Sequence, residues 1–72
     1  MVKRRADPKT MGKRLKALRG CRTKTGVARE IGISYSALCF YESGERFPSP
    51  ENQKKLADYY GVTEESLFYT RD

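Results

Sequence analysis

Apolar positions recur along this chain at helical spacing, in short blocks bounded by capping residues and glycines. Met11, Leu15 and Leu18 form one stripe at i, i+4, i+7. Val27, Ala28 and Ile31 form a second, Leu38 and Tyr41 a third, and Leu56, Ala57 and Tyr60 a fourth. Thr10, Thr23, Ser34, Ser49 and Thr63 stand where a hydroxyl can accept from an unpaired N–H of a first helical turn. Gly32, Gly44 and Gly61 stand where helices must stop. Pro50 follows Ser49 at a first helical position, where its missing N–H costs nothing. Ile33 with Leu38, and Val62 with Leu67, hold the places of hydrophobic staples. The pattern predicts an all-α, compact five-helix domain. Its most fully specified stretch is Thr23–Gly44, two short helices joined by one sharp turn.

The ends read differently. Residues 1–9 lack apolar periodicity, carry the basic run Lys3-Arg4-Arg5, and include Pro8, which reads as a barrier to extending a helix backward. They are expected to be a flexible basic N-terminal arm, with Thr10 capping a first helix over about 11–19. Residues 10–69 form the folded domain and 70–72 a C-terminal tail. Leu67, Phe68 and Tyr69 close the ordered chain. Leu67 belongs to the monomer core, and exposed aromatics there would suit a two-fold contact.

The run Ala28-Arg29-Glu30-Ile31-Gly32-Ile33-Ser34, followed by Leu38, Tyr41-Glu42 and Gly44, resembles the Cro/phage-repressor (XRE-like) helix-turn-helix family. Arg14 through Arg19 resembles that family's first helix, Gly44 through Ser49 its loop after the recognition helix, and Leu56 through Thr63 with Leu67 its last two helices. The resemblance covers about residues 10–69. One departure is the link from Arg19 to Ala28, which is shorter than the family's usual pattern. It predicts that the first helix frays early or the second starts late.

The resemblance implies a recognition helix over about 35–43 in a DNA major groove. The places that would meet base edges are Tyr35, Ser36, Cys39 and Phe40. None of them is an Arg, Gln or Asn that makes a bidentate base contact, so apolar contact and DNA shape are expected to carry more of the readout. Lys24 takes the place of a glutamine that opens the family's second helix and touches the DNA backbone. A bound phosphate would suit a helix N-terminus there. The expected phosphate contacts are Thr23, Lys24, Ser43 and Arg46, with Arg4 and Arg5 from the arm. The family also pairs an arginine at the place of Arg19 with a glutamate at that of Glu42. This pair is expected to set the angle between helices, not to read DNA.

Charge agrees with a polyanionic partner. The formal net charge is +6, and residues 1–24 carry +9 of it against −3 for residues 25–72. A solvated helix face with a solubilising tail would also be basic, so charge alone does not decide. The chain has no histidine, only two cysteines, Cys21 and Cys39, and no glycine-rich phosphate loop. Neither a metal site, a cofactor, a disulfide framework nor enzyme chemistry is expected. No apolar run reaches the roughly 20 residues of a membrane span, and no apolar segment follows the charged start, so a cytoplasmic protein is expected.

The function expected is that of a sequence-specific, double-stranded-DNA-binding transcriptional regulator, a repressor acting as a homodimer on paired half-sites. Two alternatives stay open. One is the DNA-binding antitoxin of a toxin–antitoxin pair. The other is a helical protein-interaction module that presents the apolar outer face of the third helix to a protein partner.

Overall fold

The computed structural model describes residues 3–71, with the side chains of residues 4–70. The elements in order are β1 (Lys3–Arg5), α1 (Pro8–Arg19), α2 (Lys24–Ile31), α3 (Tyr35–Ser43), α4 (Pro50–Tyr60), α5 (Glu64–Phe68) and β2 (Tyr69–Arg71). The architecture is the expected all-α one with a two-stranded ribbon added where the termini meet.

The caps fall where the hydroxyls stand. Thr23 accepts from the Gly26 N–H at 3.1 Å, Ser34 from Ala37 at 3.0 Å, Ser49 from Asn52 at 3.4 Å and Thr63 from Ser66 at 3.2 Å. Gly32, Gly44 and Gly61 follow the ends of α2, α3 and α4 in the left-handed conformation. Helix α1 neither frays early nor pushes α2 late. It runs to Arg19, and α2 starts at Lys24. The Arg22 side chain bends back to donate to the carbonyls of Leu18 and Arg19 at 3.1 and 3.2 Å, so the short link carries its own C-terminal cap.

The start of α1 corrects the expectation for residues 1–9. Asp7, not Thr10, is the N-cap: its carboxylate accepts from the N–H groups of Lys9 at 3.1 Å and Thr10 at 3.3 Å. Pro8 does not block the helix but opens it, because a first-turn residue has no helical N–H bond to lose. Upstream, Lys3–Arg5 is no free arm. It pairs antiparallel with β2, Lys3 opposite Arg71, Arg4 opposite Thr70 and Arg5 opposite Tyr69. The expected tail is therefore a strand as far as Arg71, while Met1, Val2 and Asp72 lie outside the described residues. Ala6 is buried and its N–H donates to the Phe68 carbonyl at 2.8 Å, tying the ribbon to α5.

The core is made by residues of the predicted stripes together with Leu67 and Phe68, so Phe68 is buried and is not offered for a two-fold contact. Met11, Leu15, Val27, Leu38, Leu56, Leu67 and Phe68 are fully buried within it. Arg14 leaves this face and donates to the carbonyls of Ser66, Leu67 and Tyr69 at 3.2, 3.3 and 3.2 Å. It satisfies the carbonyl end of α5, which has no glycine stop. Among the described residues no helix is long and apolar enough to cross a membrane.

Candidate nucleic-acid interface

Helix α3 is held from three sides. First, α1 lies directly on its backbone at Gly12, where an added Cβ would stand 2.4 Å from the Glu42 carbonyl oxygen. Second, Arg19 makes a two-pronged bond to the Glu42 carboxylate, Nε to Oε2 at 2.8 Å and Nη2 to Oε1 at 3.0 Å. Its remaining Nη1 donates to the Arg22 carbonyl at 2.6 Å. The hydrogen bond to Glu42 raises the Arg19 pKa above its ordinary value. Third, Asn52 at the start of α4 donates to the Tyr41 hydroxyl at 2.8 Å. These contacts bury Leu38, Tyr41 and Glu42 and turn the opposite arc of α3 outward.

That arc carries the residues expected to meet DNA. Tyr35 is 53% exposed, and Ser36 and Ser43 are also exposed, while Cys39 and Phe40 are half-buried. The neighbouring Cys39 side chain raises the Tyr35 phenol's pKa above its ordinary value. Tyr35 is therefore a neutral donor at physiological pH. Phe40 is not bare: the Arg46 guanidinium lies over its ring, 4.8 Å from the centroid. The apolar patch on which a protein partner would dock shrinks to Tyr35.

The phosphate candidates separate by what already holds them. Lys24, at the first position of α2, and Arg46 are not ion-paired among the described residues. Thr23 is exposed, with its oxygen engaged as the cap of α2 and its proton free. Ser43 is turned back onto the Phe40 carbonyl at 3.2 Å, so its single proton must leave that bond before it can meet a phosphate. Arg5 lies over Phe47 at 4.4 Å, and Arg4 sits in β1 with its side chain exposed. Arg14, Arg19 and Arg22 are already engaged by partners within the chain.

Helix ends sharpen this division. Helix α1 is capped by Asp7, and α4 and α5 carry glutamates in their first turns. Helices α2 and α3 alone are capped by neutral hydroxyls and have no acid in the first turn. Their positive dipole ends are left uncompensated. Such ends favour an anion supplied from outside.

Lys9 escaped the sequence reading. Its backbone packs against Gly44, whose φ is +82° and where an added Cβ would lie 2.9 Å from the Lys9 Cα. This contact sets an exposed lysine beside Gly44, where the loop after α3 begins. Only the crossing of α1 over α3 brings the two together. No group of metal-ligating side chains occurs among the described residues.

A family model described as a helix-turn-helix domain matches residues 10–67. The chain is also similar to the cryptic phage CTXphi transcriptional repressor RstR of Vibrio cholerae serotype O1 (strain ATCC 39315 / El Tor Inaba N16961), with 41% identity over 46 residues. That alignment covers 64% of this chain and 41% of the repressor, so the chain spans less than half of that relative's length. No solved structure matches the chain.

Proposed function

This chain belongs to the helix-turn-helix domain family, and from that premise we propose that it is a DNA-binding transcriptional regulator acting in the cytoplasm as a repressor. Helix α3 enters the major groove and presents Tyr35, Ser36 and Cys39 to base edges. Lys24, Thr23 and the N-terminus of α2 take one phosphate, and Arg46 takes another on the other side of α3. The reading is carried by one observation: the two helices of the motif are the two whose positive ends the protein leaves without an acid. The similarity to a phage transcriptional repressor supports repression by promoter occupancy. A short domain with one recognition helix gains specificity by pairing, so it acts as a homodimer on two half-sites about one helical turn apart.

The test is selection from random duplex DNA, followed by fluorescence anisotropy on the recovered duplex at several salt concentrations. The expected result is an inverted-repeat motif with affinity falling linearly in log[salt], by roughly 0.9 per phosphate neutralised. Weak binding with no recovered motif would sink the reading of a sequence-specific regulator.

A further inference from the structure

Phe40 does two things for Arg46 that neither composition nor helical periodicity announces. Its backbone carbonyl anchors the loop: it accepts from Ser43 Oγ at 3.2 Å, from the Glu45 N–H at 3.0 Å and from the Arg46 N–H at 3.3 Å. Its ring then carries the Arg46 guanidinium at 4.8 Å. The charge is thus held at both ends, backbone and head group, by one residue of α3. Stacking on a ring face uses none of the in-plane guanidinium N–H groups. Arg46 is exposed and not ion-paired among the described residues, so these donors remain available. An arginine already stacked has less rotamer freedom to lose when it meets an anion.

We propose that Phe40 is a positioning residue, a ring platform that orients Arg46 toward a DNA phosphate, and not a reader of base edges. The proposal rests on the DNA-binding reading above. It moves Phe40 from the set of specificity residues to the set that raises affinity for every sequence. Tyr35, Ser36 and Cys39 then make up the reading face.

The experiment is a double-mutant cycle on the full chain, with Phe40→Leu, Arg46→Ala and the double variant. Binding is measured by anisotropy on the selected duplex and on a scrambled duplex of equal length, over a salt series. Thermal melts establish that each variant is folded. Arg46→Ala is expected to flatten the salt slope by about 0.9, one phosphate contact. Phe40→Leu, which keeps an apolar side chain but no ring face, is expected to weaken both duplexes alike by roughly threefold or more. In the Arg46→Ala background it is expected to cost almost nothing further. Phe40→Tyr keeps the ring face and should retain the coupling. Equal losses from Phe40→Leu with and without Arg46, or a loss confined to the selected duplex, would overturn the proposal and return Phe40 to base reading. A wild-type chain that binds neither duplex would overturn the DNA reading itself, so the two failures are told apart.

Discussion

The backbone of Gly12 in α1 lies against the carbonyl of Glu42 in α3, so closely that a Cβ at position 12 would fall 2.4 Å from that oxygen. The obstacle is backbone on a helix carrying much of the core, so it cannot swing aside. Replacing a helix-interior glycine by alanine ordinarily stabilises by roughly 1 kcal/mol. Here the sign reverses, and Gly12→Ala is expected to destabilise by about 2–3 kcal/mol as the helices are forced apart. Urea unfolding measures it, and a neutral or stabilised variant would show that α1 and α3 do not touch in this way.

The Arg19–Glu42 pair sets the angle at which α3 is presented. The Glu42 side chain is 2% exposed and that of Arg19 13%, so removing one partner leaves a charge with little water to replace it. Arg19→Ala or Glu42→Ala is expected to cost about 3–5 kcal/mol. The paired replacement Arg19→Met with Glu42→Leu should recover most of that loss. Chemical unfolding of the three variants tests this, and an additive double variant would contradict it.

Alkaline pH should destabilise the fold through its tyrosines, Tyr59 and Tyr60 adding to the Tyr35 phenol. Tyr59 donates to a Glu30 carboxylate oxygen at 2.5 Å, and that hydrogen bond raises its pKa above the ordinary 10.0. Burial does the same for Tyr60, reinforced by the nearby Glu42 charge. Both folded pKa values are raised, so the stabilisation is complete below about pH 10, the unfolded value, and is lost as pH rises through the folded values. Thermal melts should therefore fall above about pH 10. Tyr59→Phe should remove part of that slope. An unchanged slope in Tyr59→Phe would rule out the Glu30 bond as a contributor.

The terminal ribbon contributes to stability. Deleting residues 1–5 removes the pairing with β2 and the Arg5–Phe47 contact, and should cost about 1–2 kcal/mol. Arg5→Ala alone should cost about 0.5–1 kcal/mol. A truncated chain that melts with the wild type would show that the segment acts only through its charge.

Lys24 and Ser36 should separate affinity from specificity. Lys24→Ala is expected to weaken selected and scrambled duplexes by the same factor and to flatten the salt slope by about 0.9. Ser36→Ala should leave that slope alone and relax one position of the motif, at a cost of about 0.5–1.5 kcal/mol in discrimination. If Lys24→Ala instead altered sequence preference, the N-terminus of α2 would have to lie in the groove.

What the sequence determined by itself is local. Thr23, Ser34, Ser49 and Thr63 each bond an N–H three residues on, and Gly32, Gly44 and Gly61 each stop a helix, because caps and stops are short-range and need no partner element. The apolar stripes follow for the same reason, since helical period alone decides which side of a helix is greasy. Even so, Asp7 and Pro8 were open to misreading, because a proline that ends one helix can begin another. Apart from the Arg19–Glu42 pair, which the family resemblance implied, tertiary structure decided what joins distant parts of the chain. It paired residues 3–5 with 69–71, turned Arg14 onto the end of α5 and laid Gly12 on Glu42. It also covered the Phe40 ring with Arg46, and only a loop wound back onto α3 could show that this aromatic face was occupied. Such contacts depend on how helices cross, and crossing angle is a property of the packed core that no run of residues encodes alone.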